Sequence, residues 1–411
     1  MIKTNFSNSK LIINKHEFNE CYQRIKDELK HNYMFGWHQY LLANHDDLIS
    51  EINQINTELQ GYAKNMVVIG IGGSYLGSYA INEALNNGYH QEYQLIFLGQ
   101  NLDSDYFNNV LAFCEENDFV LNVISKSGNT LEPSLAYELI KELMIKKYTY
   151  EGFKKRIIIT TDAQEGCLRD ECLKHDLKSL IINNDIGGRY SVFTSVGLLP
   201  LAFVNINIKE LLLGAQAASK CYYTKDVNDA FYYALIRNNE YLNDKKVEAL
   251  IVYNPYLRGL IEWYKQLFAE SEGKNKKGLL PIGMVYSTDL HSLGQFVQEG
   301  TPMLFETNIT FKSNNDISLK NFINNDALAY LSKYDLEDVN KIVNSSVIKA
   351  HYEIGNINNY VLALNELNEY NLAYLMTFMM YSCAYSASLL AVDPFNQPGV
   401  EVYKKEIKEL L

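Results

Sequence analysis

The sequence predicts an α/β protein made of two doubly wound parallel-sheet domains with helical N- and C-terminal arms. Three observations carry that prediction. Short apolar, β-branched runs such as NMVVIG (65–70), FVLNVI (119–124) and RIIIT (156–160) alternate with stretches of helical periodicity. Apart from Asn122, the interiors of these runs are apolar, as expected of strands covered on both faces. A second series of the same kind begins downstream of the helical IKELLLGAQAAS.

A chain of 411 residues accommodates two or three domains. The expected division is an N-terminal helical arm over 1–60, a first α/β domain over 61–204 and a second over 205–411 with C-terminal helices. The arm contributes an aromatic cluster, Tyr33, Phe35, Trp37 and Tyr40, near Gly36, and reads as packing. Asn65 to Gly70 is a buried strand feeding IGGSYLGS and a helix from Tyr75 to Leu85. Strand YQLIFL (93–98) precedes a helix capped near Asp103 or Ser104. FVLNVI leads into SKSGNT and the helix LEPSLAYELIKELMIKK, where Leu135, Leu139, Leu143 and Met144 share one face. RIIIT continues the series, which ends near Pro200.

In the second series, VEALIVY (247–253) precedes a helix opening near Arg258. GLLPIGMVY and MLFETNIT (303–310) are further strands, and beyond Ser318 the chain reads as helical to its end. The expected picture is two similar domains with a cleft between them. Asn371 to Val392 carries no charge, but interleaved Asn, Thr, Ser and Tyr and the lack of basic anchors predict a buried central helix rather than a membrane span.

Bulk composition narrows the partners. Hydrophobic residues are 47% and charged residues 21%, ample for a folded core. A net charge of −12 argues against nucleic acid or an anionic membrane, while leaving room for an anionic metabolite in a locally polar pocket. The six cysteines show no CxxC pair and no metal-ligand spacing with histidine, so they read as reduced packing thiols. The N-terminus has no sustained apolar stretch and no small-residue cleavage site, so the expectation is a cytoplasmic protein.

One amphipathic helix offers a candidate for chemistry. Leu260, Ile261, Tyr264, Leu267 and Phe268 recur at i, i+3 and i+4 and form its apolar stripe. Gln266 and Glu270 lie off the stripe, four residues apart on the polar face, with Gly273 placed as a stop. Glu270 in the last turn faces the negative end of the helix dipole, which suits a proton acceptor. The alternative is an ordinary solvated glutamate.

Three loops follow predicted strands. GIGGSYLG (70–77) departs from the dinucleotide fingerprint, because Tyr75 stands where the third glycine is required, and it has no Walker A lysine. A glycine-rich turn after a parallel strand still lets a ligand approach the backbone, so Gly73 and Ser74 are ligand contacts or members of a tight turn. ISKSGNT (124–130) gathers the hydroxyls of Ser125, Ser127 and Thr130 before a helix with Pro133 in its first turn. Hydroxyls and free backbone N–H groups there bind a phosphate without a formal cation, whereas a plain capping turn explains Thr130 alone. In GGRYS (187–191), Arg189 presents a planar fork able to steady an oxyanion, or is a surface arginine in a turn. Taken singly, His291 reads as a capping or packing histidine and Lys404 as a solvated lysine.

Together, GIGGSYLGS (70–78), ISKSGNT (124–130), GGRYS (187–191), QLFAESEGK (266–274), DLHSLGQFVQEG (289–300) and NQPGVEVYKK (396–405) resemble the glucose-6-phosphate isomerase family, in the family's order and across nearly the whole chain. The resemblance implies two sugar-isomerase (SIS) domains, usually assembled as a homodimer acting on a small sugar phosphate. It implies interconversion of glucose 6-phosphate and fructose 6-phosphate through an enediol, in glycolysis and gluconeogenesis, with no cofactor and no metal. By the same resemblance Glu270 is the base moving a proton between C1 and C2, and Arg189 stabilises the enediolate. His291, supplied across the dimer interface, and Lys404 open the ring. Ser125, Lys126, Ser127 and Thr130 are implied to hold the phosphate, and Gly73, Ser74, Gln266 and Gln397 the sugar.

Two readings compete. One is another two-domain sugar-phosphate isomerase, such as a dual glucose/mannose phosphate isomerase or the isomerase half of a fructose-6-phosphate amidotransferase. The latter would bring a glutaminase domain and an N-terminal nucleophilic cysteine, which are not expected here. The other is a catalytically inert sugar-phosphate-binding regulator, which would have no need of Glu270, Arg189, His291 and Lys404 together.

Overall fold

Short runs rich in Val, Ile and Leu become strands that lose water on both faces, and the computed structural model shows two sheets built of them. It describes residues 2–9, 11, 15–89, 91–224, 228–313, 316–321 and 326–411. The chain divides into one compact unit of residues 27–220 and another of residues 1–26 with 221–411.

From the N-terminus, β1 (Lys3–Asn5), α1 (Lys15–Lys30), α2 (Gly36–Leu42) and α3 (Asp46–Gln60) lead to β2 (Asn65–Ile69) and α4 (Leu76–Leu85). Next come β3 (Gln94–Leu98), α5 (Ser104–Glu116), β4 (Phe119–Ile124), α6 (Leu131–Arg156), β5 (Ile157–Thr161), α7 (Cys167–His175) and β6 (Ser179–Ile181). Helices α8 (Ser195–Phe203), α9 (Ile208–Thr224) and α10 (Asp229–Leu242) precede β7 (Val247–Val252), α11 (Arg258–Glu272), β8 (Leu280–Val285) and α12 (Gly294–Glu299). The chain closes with β9 (Leu304–Phe311), α13 (Leu336–Glu353), β10 (Asn359–Leu364), α14 (Glu369–Leu389) and α15 (Val400–Leu410).

In the 27–220 unit five parallel strands take the order β3-β2-β4-β5-β6. Alternate residues of the central strands, among them Val67, Ile69, Leu121 and Val123, pack with Val110, Ile140 and Met144 from α5 and α6. Asp103 caps α5 by accepting the Tyr106 N–H at 2.8 Å, satisfying one of the orphan donors of the first turn. Helix α6 breaks at Thr149, whose φ of 66° is left-handed, close to the Lys147 end that the sequence predicts.

The other sheet has the order β1-β10-β9-β7-β8, parallel except for β1, which pairs antiparallel with β10, Lys3 lying opposite Ala363. Two strands here depart from the expectation. The segments 1–60 and beyond Ser318 read as helical, yet β1 and β10 lie within them. Strand β1 is only 3 residues long, too short to show a period. The apolar run of β10 is one of those short stretches that periodicity cannot tell from a helix segment. Helix α14 is buried from Asn371 through Ala387, in agreement with the buried-helix reading, and among the described residues no helix is long and apolar enough to cross a membrane.

Both sheets share a strand order. The first strand of each series sits inside, the second on one side of it and the third on the other. Each sheet therefore opens a crevice beyond the carboxyl ends of its first and third strands, where the order reverses.

Candidate active site

In the 27–220 unit the loops after β2 and β4 emerge on either side of that crevice. They enclose a cavity of about 550 Å³ lined by Ser74, Ser125, Lys126, Ser127 and Thr130, with Asp162 from the turn after β5. Ser125 Oγ accepts the Gly128 N–H at 3.1 Å and Ser127 Oγ accepts the Asn129 N–H at 3.2 Å. Each hydroxyl keeps its own proton for an outside acceptor. Gly128 has a φ of +72°, and a Cβ there would fall 2.8 Å from the Leu168 nitrogen, so this turn needs glycine. Thr130 occupies the N-cap of α6 but makes no side-chain cap bond. A plain capping turn is thus not what the loop forms, and the α6 N-terminus adds N–H groups suited to an anion.

Lys126 is exposed, and its ammonium donates to the Asn184 carbonyl at 3.0 Å. Asp162 is buried, and its carboxylate accepts the N–H groups of Gln164 at 2.8 Å and Glu165 at 3.2 Å. The Gln164 bond foremost, then Glu165, Asn184 and the Lys126 charge, hold the Asp162 carboxyl below the usual range against the opposing effect of burial.

The other two predicted loops touch through a glycine. A Cβ on Gly73 would fall 2.1 Å from the Gly188 carbonyl carbon and 2.7 Å from the Arg189 nitrogen. Ser74 lines the cavity, whereas Gly73 packs against the backbone that carries Arg189. Arg189 itself is buried, in the turn Gly188–Tyr190. Tyr190 stacks on Trp37 with ring centroids 5.3 Å apart, and Phe35 bridges to Ile186. Two members of the aromatic cluster, Phe35 and Trp37, therefore buttress the Arg189 loop, a role no sequence spacing signals, while Tyr33 is exposed.

In the other unit, α11 buries Leu260, Ile261, Tyr264, Leu267 and Phe268 and leaves Gln266 and Glu270 partly exposed on the opposite face. Gln266 Nε2 donates to Glu270 Oε1 at 3.2 Å, the i,i+4 contact their spacing predicts. Its Oε1 is buried with no hydrogen-bond partner among the described residues, an acceptor available to a hydroxyl. His291 ends the turn Thr288–His291 and is exposed. Gln397 is exposed ahead of α15, and Lys404 on α15 pairs with Glu401 at 2.9 Å.

The sheet of this unit has a cavity of its own, about 530 Å³, at the carboxyl ends of β7 and β9. There the Glu337 carboxylate accepts the Ser313 N–H at 3.3 Å, and Asp316 accepts the Glu337 N–H at 3.1 Å. Internal carboxylates already take these donors, whereas the crevice beside Ser125 presents the hydroxyls of Ser125, Ser127 and Thr130 together with Lys126, Asp162 and Glu165.

Residues 46–411 match the sequence model of the family described as phosphoglucose isomerase. The chain belongs to the phosphoglucose isomerase family. Glucose-6-phosphate isomerases of Bacillus anthracis and of Bacillus thuringiensis strain Al Hakam are each 40% identical to it over 392 residues, 92% of this chain and 87% of the relative. Among solved structures, a hypothetical protein from Thermus thermophilus aligns over 100% of this chain and 99% of its own, with a TM-score of 0.88 at 24% identity. A glucose-6-phosphate isomerase from Chlamydia trachomatis aligns over 100% of this chain and 88% of its own, with a TM-score of 0.83 at 18% identity. These two structures speak to the fold, which is that of other phosphoglucose isomerases.

Proposed function

We propose that this chain interconverts glucose 6-phosphate and fructose 6-phosphate through an enediol, as an aldose–ketose isomerase. The observation that carries the reading is the 40% identity, over 92% of the chain, to relatives named glucose-6-phosphate isomerase. The hydroxyl-lined cavity beside Ser125 agrees with a phosphorylated substrate.

The chemistry needs a proton acceptor near two adjacent carbons, a cation near the oxyanion and an acid/base at the ring oxygen. In our assignment His291 and Lys404 open the ring. Glu270 then takes the proton from C2 of the aldose and returns it to C1, while the hydroxyl proton moves between O2 and O1. No electron leaves the sugar. Arg189 offsets the negative charge of the enediolate. Ser125, Lys126, Ser127 and Thr130 hold the phosphate, and Gly73, Ser74, Gln266 and Gln397 hold the sugar. Assembly as a homodimer, with His291 given to the partner copy, and a cytoplasmic setting belong to the same proposal.

The test is an assay of purified protein on fructose 6-phosphate, coupled to a dehydrogenase specific for glucose 6-phosphate. Turnover should persist in the presence of a metal chelator. A protein that binds inorganic phosphate yet neither converts the ketose nor exchanges the C2 proton of the aldose with solvent would overturn the reading in favour of a binding regulator.

A further inference from the structure

Beneath α11 lies an ionic cluster that this chemistry does not use. Arg237 on α10 is fully buried, as are its partners Glu248 on β7 and Glu272 on α11. Its Nε donates to Glu248 Oε2 at 2.6 Å, and its two terminal nitrogens grip both oxygens of Glu272, Nη2 at 3.2 Å. Nη1 also donates to Ser386 Oγ at 2.7 Å on α14. The guanidinium carbon stands 4.1 Å from the centre of the Phe268 ring, a second contact to α11. Tyr233 and Thr307 donate to the remaining Glu248 oxygen.

Stability alone is a poor account of such a cluster. Desolvation offsets what the pairing returns, and apolar residues of similar volume would often hold the same space as well. One arginine against two glutamates also leaves a formal charge of −1 inside the protein. What a rigid fork on α11 does supply is a single rotational setting of the helix.

We infer that Arg237 is a positioning residue for Glu270, acting through Glu272 and Phe268. Phe268 and Glu272 are four residues apart on the buried face, and Gln266 and Glu270 are four apart on the other. At about 100° per residue the two pairs lie on opposite sides of the helix. Fixing the first pair fixes the azimuth of the second. A carboxylate about 6 Å from the helix axis moves about 1 Å for each 10° of rotation, and a misplacement of ~1 Å can cost roughly 100-fold in rate.

The inference rests on the reading of Glu270 as the base, and its test separates the two. Glu272→Gln keeps the size of the side chain but sets an amide N–H against one Arg237 donor in a fully buried site, so the variant should melt below the parent, and its kinetics are read at a temperature where circular dichroism shows it folded. We expect its kcat to fall at least about 10-fold with KM within about twofold, and the isotope effect with C2-deuterated substrate to rise. Arg237→Lys, which keeps the charge and loses the fork, should repeat the split. The Glu272→Gln loss should vanish when Glu270 is already glutamine, because there is no longer a base to aim. An unchanged kcat in Glu272→Gln, or a loss that persists in full in the Glu270→Gln background, overturns the positioning role. Near-normal turnover in Glu270→Gln alone instead removes the base assignment.

Discussion

At the scale of single residues, Glu270 and Asp162 make opposite demands on a carboxylate. Glu270 is partly exposed, shares a hydrogen bond with Gln266 and in our assignment must gain and lose a proton in each turnover. Glu270→Gln keeps size and hydrogen bonding but cannot take the proton, so kcat should fall by roughly 100-fold or more with affinity little changed. Steady-state kinetics with both sugars would check it, and near-parental rates would remove the residue from the mechanism. Asp162 must stay ionised to hold its turn. Its folded-state value lies below the unfolded value of about 3.9, so its contribution is complete above that pH and is lost as pH falls through the lower folded value. Asp162→Asn retains an acceptor for Gln164 without the titration. Urea midpoints between pH 5 and 2 should fall less steeply for the variant than for the parent, and parallel curves would deny the carboxylate this role.

At the scale of elements, β1 is a small strand with a large duty. It covers the edge of β10, and Phe6 just beyond it stacks on Tyr233 at 5.7 Å, the residue that donates to Glu248. Deleting residues 2–9 would bare the β10 ladder and uncover Tyr233. The lost apolar burial of Phe6 is worth about 1–2 kcal/mol, or a melting temperature lower by roughly 2–8 °C, with faster aggregation from the open edge. Calorimetry and light scattering on the truncated chain would read both effects, and an unchanged profile would make β1 ornamental. Strands β2, β4 and β7 were legible because each is a short run dominated by apolar residues, β9 because β-branched Ile and Thr follow its apolar opening, and the loops beside Ser74 and Ser125 because glycine and hydroxyl residues follow at once. The Gln266–Glu270 contact was legible from spacing alone. Other contacts were not. Arg237 meets Glu248 across 11 residues and Glu272 across 35, and nothing local in either segment announces the pairing. Gly73 meets Gly188 only because the fold brings two distant loops together, so its glycine reads in sequence as a turn.

At the scale of the molecule, any ligand that the folded chain binds and the unfolded chain does not stabilises the whole by mass action. Inorganic phosphate at about 100 times its dissociation constant should add about 2.7 kcal/mol, raising the melting temperature by roughly 5–11 °C for a unit of this size. Ser127→Ala with Thr130→Ala should abolish most of that shift while leaving the unliganded melting curve in place. A full shift in the double variant would return ISKSGNT to the status of an ordinary turn. The division of the chain has a consequence for its synthesis. By residue 220 the nascent polypeptide holds every strand of the first sheet, in one uninterrupted stretch. The opening strand has no such luck, because its neighbour β10 is made roughly 360 residues later. At about 5–20 residues per second it waits on the order of 20–70 s outside the ribosome. A translation arrest after residue 220 and before β10 would release a chain with one finished sheet and an N-terminal strand still without its partner.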